Sequence, residues 1–261
     1  MRQVDMIRLD LLTKTLTETQ DYVAIEVPLK ILINDTYSFV IWCSPSQFKE
    51  LTIGYLFAEE ILHTIDEIQH ITIDETENLC KINLNPNINL THRMENRQQK
   101  TRIVPLIKNN TASYQQDNKL VIVNTDLTVK AQTIMDAIYQ MNEKATGFKE
   151  TGGLHVSGIF NADGTLLAFS EDVGRHNTVD KVIGKGLLSN INFTQSFIII
   201  TGRIPGDMIY KTAKAGIPIV TSITAVLNSG ISSAQKANIT LAGFARENRL
   251  NIYTHPKRIL L

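Results

Sequence analysis

Glu171-Asp-Val-Gly-Arg-His-Asn177 gathers two acids, a glycine, a guanidinium, an imidazole and an amide into one short segment. If a helix begins here, its free N–H groups and dipole favour an anion, and Arg175 can grip a phosphate through two parallel hydrogen bonds. His176 and Asn177 add further polar contacts, and Asp172 is placed to orient a histidine or a ligand hydroxyl. The plainer reading is a helix cap with surface ion pairs, and Asp180 and Lys181 are expected to pair on the next turn. A second segment, Glu150-Thr-Gly-Gly-Leu-His155, offers Gly152 and Gly153 for close backbone approach to a ligand, with His155 following; a glycine-rich turn beside a surface histidine is the alternative. The third is Phe244-Ala-Arg-Glu-Asn-Arg249, at a predicted strand end, with Thr201-Gly-Arg203 at another. Ligands of open α/β sheets collect beyond the carboxyl ends of strands, so Arg203, Arg246 and Arg249 are either phosphate contacts or solvated loop arginines.

The elements that must hold these groups follow from hydrophobic period. Tyr22–Leu32 and Tyr37–Trp42 read as a hairpin about Asn34-Asp35. Pro45 ends that strand, and Ser46 is expected to cap a helix from Gln47 to Leu62. Ile68–Ile73 and Leu79–Leu84 form a second strand pair. Residues 1–90 therefore make a β-rich lobe with one helix. Residues 91–120 are polar and locally basic (Arg93, Arg97, Lys100, Arg102, Lys108) and read as a mobile loop, either plain surface or working over a site. From 121 to 261 the pattern is α/β: a helix over Thr128–Lys144, a hairpin Leu154–Phe160/Leu166–Phe169, and a helix over Asn177–Leu188. A buried strand Phe197–Thr201, a helix Asp207–Ala215 closed by Gly216, and a strand Ile217–Thr224 come next. Then follow a helix Ser232–Asn238 and a strand Ile239–Phe244, implying a parallel or mixed sheet covered by helices.

Composition narrows the function classes. Lys plus Arg and Asp plus Glu each number 26 in 261 residues, so no global field draws nucleic acid or an anionic membrane. No apolar run has signal-peptide or membrane-spanning length, and Cys43 and Cys80 suggest no disulfide framework. A cytoplasmic protein is expected. Walker A, G-x-G-x-x-G and G-x-S-x-G motifs are missing, and the scattered His and Cys make no metal cluster.

Taken together, the segments resemble the FdhD family, sulfurtransferase accessory proteins of formate dehydrogenase. The matching stretches run in family order: Glu26-Val-Pro-Leu29 with Ile33-Asn34, Cys43-Ser-Pro45, Glu50–Leu56, Glu150–His155 and Glu171–Lys181. Thr201-Gly-Arg203, Lys211–Pro218, Gly243-Phe244, Ile252-Tyr253 and Pro256–Ile259 complete the series. The resemblance implies a three-layer C-terminal domain like that of cytidine deaminases but without their zinc, a β-rich N-terminal lobe, and a homodimer. It implies a role in passing sulfur from a cysteine desulfurase to the bis-molybdopterin guanine dinucleotide cofactor before insertion into formate dehydrogenase. The family's cofactor-binding stretch maps onto Phe244, Ala245, Arg246, Glu247, Asn248 and Arg249.

Two departures matter. The family carries its persulfide cysteine in a loop corresponding to Lys100–Gln116, which has no cysteine here, and the alcohol of Ser113 forms no persulfide. Cys43 is then the remaining nucleophile candidate, although packing is its simpler role. Thr224-Ala-Val-Leu227 stands where the family typically reads Ser-Ala-Pro-Thr, which alters a pocket wall. Three readings follow: a sulfur carrier acting on the cofactor, a non-enzymatic cofactor-binding chaperone, or a nucleotide-processing enzyme using His155, Asp172 and His176 as acid and base.

Overall fold

A computed structural model describes residues 1–100 and 120–261. The chain begins with an antiparallel ribbon, Arg2–Asp10 (β1) and Thr15–Val23 (β2), paired from Arg2↔Val23 to Asp10↔Thr15. Tyr22 and Val23 therefore belong to this ribbon rather than to the next hairpin. Both its faces are largely exposed, so it leaves no burial pattern in the sequence.

The expected hairpin is Val27–Ile33 (β3) and Tyr37–Cys43 (β4), turning through Asn34 and Asp35 with φ of 47° and 53°. Such left-handed pairs suit the twist of a tight hairpin. The helix that follows is Phe48–Ala58 (α1). Ser46 does not cap it; Gln47 holds the N-cap position at φ 54° without a side-chain bond. Nor does it reach Leu62: Glu60 turns left-handed, and the Ile61 and Leu62 amides both return to the Leu56 carbonyl. That break turns Ile61 and Leu62 into the lobe's core. Ile68–Asp74 (β5) and Leu79–Leu84 (β6) complete a sheet of order β4-β3-β6-β5, in which β3 and β6 run parallel.

The segment read as the start of a polar loop is instead a helix, Leu90–Lys100 (α2). Leu90 and Met94 bury on the lobe core, and Arg93 makes a bidentate pair with Glu67 at 2.8 and 2.7 Å. Two anchors one turn apart suffice to dock a short helix. The remainder of the expected loop, including most of Lys100–Gln116, lies outside the described residues.

Beyond it come Val129–Lys130 (β7), Ala131–Lys144 (α3), Thr146–Thr151 (α4), His155–Asn161 (β8), Leu166–Asp172 (β9) and Arg175–Leu188 (α5). Ser196–Ile200 (β10), Gly206–Ala215 (α6), Ile219–Ser222 (β11), Asn228–Ala237 (α7), Thr240–Arg246 (β12), Arg249–Thr254 (β13) and Ile259–Leu260 (β14) follow. The six-stranded sheet has the order β13-β12-β11-β10-β8-β9, with β10, β11 and β12 parallel and the rest antiparallel, the mixed α/β arrangement expected. Successive strand residues point to opposite faces, and both faces are apolar. Ile198, Ile200, Val220 and Leu241 pack with α5, α6 and α7, while Phe197, Ile199 and Ile219 pack with α3. The result is three layers.

Helix α1 lies between its own sheet and α5, and the crossing is close enough to exclude side chains. A Cβ on Gly54 would sit 1.8 Å from the Asp180 carbonyl oxygen, and one on Gly184 would sit 2.0 Å from that of Glu50. Among the described residues no helix is long and apolar enough to cross a membrane, and no group of three or more His, Cys, Asp or Glu is arranged to hold a metal ion.

Candidate functional site

The carboxyl ends of β10, β11 and β12 open onto a cleft of about 460 Å³, lined by His155, Arg175, Thr201–Arg203, Ile223–Ala225, Phe244 and Arg246. Five residues singled out from the sequence, His155, Arg175, Arg203, Phe244 and Arg246, meet there. Strand geometry brings them together. β8 runs antiparallel to β10, so its first residue, His155, lies beside Thr201, whose hydroxyl accepts from the Val156 amide at 2.9 Å. Arg175 opens α5, and Gly202 lets its stem lie close; a Cβ at Gly202 would fall 2.8 Å from that of Arg175. Phe244 adopts φ 52° at an irregularity in β12 and donates its amide to the Thr224 carbonyl at 2.9 Å.

Charge in the cleft is one-sided. Among the described residues, no carboxylate lies within salt-bridge distance of Arg175, Arg203 or Arg246. The Arg175 Nε is buried without a hydrogen-bond partner. Burial lowers the His155 pKa below its ordinary value, and the Arg175 and Arg203 guanidiniums lower it further. A neutral imidazole beside unneutralised guanidiniums suits an anion with several oxygens, such as a phosphate or pyrophosphate.

The most conspicuous motif divides between cleft and core. The Asp172 carboxylate turns inward: it accepts from the amides of Ser44 and Gly174 and from Asn177 Nδ2, and it meets Lys181 Nζ at 2.6 Å. Asn177 Nδ2 also donates to the Trp42 carbonyl at 2.8 Å. Asp172 thus makes no hydrogen bond to a histidine among the described residues, and Asn177, held by the Asp172 carboxylate and the Trp42 carbonyl, does not line the cleft. His176 instead meets Asp207, Nε2 to Oδ2, at 3.1 Å. The expected Asp180–Lys181 pair does not form; Asp180 pairs with Lys211 and Lys181 with Asp172. Adjacent helical residues point about 100° apart and cannot face each other.

Other candidates fall outside the cleft lining. Gly152 caps the end of α4 at φ 63°, and Gly153 faces the methyl of Ala24. Ala245 is buried in the α3-side core, and Glu247, Asn248 and Arg249 form the exposed tip between β12 and β13. Sequence reasoning missed Ile223 as a wall residue, and Ser44 and Asp207 as partners of the motif. Thr224 and Ala225, from the departing Thr224–Leu227 stretch, do line the cleft. Cys43 and Cys80 are fully buried; burial, with the nearby Asp172 charge, pushes the Cys43 thiol up to about 12, and burial pushes that of Cys80 up to about 11.

Known proteins are similar to this chain in sequence and, in one case, in solved structure. The sulfur carrier protein FdhD of Methanothermobacter thermautotrophicus is 33% identical over 260 residues, covering 99% of this chain and 98% of that protein. Its namesake in Saccharolobus solfataricus is 36% identical over 246 residues, covering 92% and 91% respectively. A crystal structure from Desulfotalea psychrophila, described as a formate dehydrogenase accessory protein, aligns with a TM-score of 0.80 at 25% identity, covering 99% of both chains. With the FdhD/NarQ family profile matching residues 24–260, from the end of the ribbon to β14, the chain belongs to the FdhD/NarQ family.

Proposed function

We propose that this protein binds the bis-molybdopterin guanine dinucleotide cofactor as cargo in the Arg175–Arg203–Arg246 cleft and serves formate dehydrogenase as an accessory protein. The observation that carries the reading is the convergence of three guanidiniums, free of carboxylate partners among the described residues, on one cleft at the strand ends. Each guanidinium supplies donors to phosphate oxygens, the neutral His155 adds one more, and the Phe244 ring walls the apolar side. The description of the solved relative as a formate dehydrogenase accessory protein supports the accessory part of the reading. A homodimer and a cytoplasmic location belong to the same proposal.

The sulfur step is proposed to rest on a thiol outside this chain. Persulfide chemistry needs an accessible thiolate, and both cysteines of the sequence are buried with raised pKa values. Sulfur drawn by a cysteine desulfurase is then held by that enzyme or another partner while this protein presents the cofactor.

Calorimetry with guanosine diphosphate tests the binding part: Arg175→Ala and Arg246→Ala should each weaken binding roughly tenfold or more, the loss of a charge-assisted hydrogen bond. Binding unaffected by either substitution would remove the basis of the proposal. Incubation with a cysteine desulfurase and labelled cysteine tests the sulfur part, and label trapped on Cys43 or Cys80 would overturn it. Restoration of formate dehydrogenase activity in a strain lacking its own accessory protein tests the assignment as a whole.

A further inference from the structure

We propose a second ligand site, at the opposite end of the sheet from the arginine cleft, for a phosphate-bearing small molecule of nucleotide size. Its walls are the chain around Asp126, the end of α7 at Gln235 and Asn238, and the segment Ile252–Arg258. The cleft measures about 730 Å³, within the range of small-molecule sites. Thr240, buried at the start of β12, touches the lining residue Arg258, whereas Arg246 at the end of that strand lines the first cleft. Six residue steps at strand rise separate the two by roughly 20 Å, too far for one phosphate to touch both.

Arg258 is the anchor. The residue is half-buried, and its guanidinium's one hydrogen bond among the described residues is a long one, Nη1 to Thr240 Oγ1 at 3.4 Å. No carboxylate lies within salt-bridge distance of it among the described residues. Burial lowers its pKa from the ordinary arginine value, as expected of a cation withdrawn from water without a counter-charge. Lys257 stands beside it. Asp126, the one carboxylate lining the cleft, accepts a hydrogen bond from Gln195 at 3.0 Å.

The loop bearing these cations is fixed before any ligand arrives. His255 sits at φ 44°, its Nε2 contacts the Gln235 carbonyl at 3.1 Å, and its own carbonyl accepts from Thr240 Oγ1 at 2.7 Å. Thr254 ties the same strand end down through the Leu241 amide and the Ile239 carbonyl. Tyr253, Ile252 and Pro256 give apolar surface beside the charged groups. Two cations and an aromatic ring lining one cleft suit a phosphate attached to a planar or apolar body better than a bare inorganic ion.

The test is titration of the full chain with guanosine diphosphate, adenosine diphosphate and inorganic phosphate in an Arg175→Ala/Arg203→Ala/Arg246→Ala background, which removes the three guanidiniums of the first cleft. Expected is residual diphosphate binding that Arg258→Met weakens roughly tenfold or more, with Tyr253→Ala weakening the nucleotides but not inorganic phosphate. Tyr253 is exposed and outside the Thr240 network, so it reports on the site even where Arg258→Met fails to fold. Binding of inorganic phosphate alone, insensitive to Tyr253→Ala, would overturn the nucleotide-sized ligand. No binding in that background, or binding indifferent to Arg258, would overturn the site while leaving the first cleft untouched.

Discussion

The Asp172 carboxylate and the Lys181 ammonium lie 2.6 Å apart, and neither side chain reaches solvent. Asp172 ends β9 and Lys181 lies on α5, so the pair closes the strand-to-helix junction that aims Arg175 into the cleft. The same carboxylate accepts from the Ser44 amide and ties the N-terminal lobe to that junction. Removing one partner strands the other charge, which costs about 3–5 kcal/mol. Asp172→Asn should therefore lower stability by that amount in urea titration, and Asp172→Asn/Lys181→Met should recover part of it. Additive losses in the double variant would show that the two charges do not act as a pair.

The α1–α5 crossing makes a sharper demand. At Gly54 and Gly184 each helix meets the other's backbone, which cannot yield as a flexible side chain can. Gly54→Ala or Gly184→Ala must push the helices apart and loosen both cores they share, a loss of about 3 kcal/mol. Thermal unfolding should show a large drop in Tm for either alanine. A change within about 0.5 kcal/mol, the usual size for a surface substitution, would contradict the close approach.

How far the sequence discloses this architecture depends on what each segment buries. The β3–β4 hairpin and the α/β alternation from β8 to β12 were legible because their apolar residues follow the period of the element that buries them. The β1–β2 ribbon was not, since Ile7, Leu9, Leu12 and Leu16 remain exposed. Helix α2 was masked by its polar residues around the anchors Leu90 and Met94. In the site, strand-end position identified Arg203 and Arg246, and position at a helix start identified Arg175. Residue type alone could not separate Arg175, which lines the cleft, from Asp172 three residues earlier, which faces inward; that depends on which way each side chain points at the end of β9.

Thiol chemistry offers an independent check on the buried cysteines. With Cys43 pushed up to about 12 and Cys80 up to about 11, neither forms appreciable thiolate at pH 8. Native protein should resist iodoacetamide at that pH, and denatured protein should take up two equivalents, one for each cysteine of the sequence. Rapid native labelling of Cys43 would instead indicate an opening that exposes the Cys43-Ser-Pro45 turn and would revive it as a sulfur acceptor.

His155 carries the pH dependence of the cleft. Burial, then Arg175 and Arg203, hold its folded pKa below the ordinary value of 6.5, so the unfolded chain binds the proton first. Its contribution to stability is therefore full above about pH 6.5 and is lost as pH falls toward the folded pKa. A bound anion offsets the guanidinium charge and favours the imidazolium, which raises the His155 pKa in the complex. Binding must then take up protons, and its share of the affinity must rise as pH falls from about 7.5 to about 5.5. Calorimetry in buffers of different ionisation enthalpy measures that uptake. The difference between wild type and His155→Gln cancels the nucleotide's own protonation. Equal uptake in the two proteins would place the ligand's phosphates away from His155.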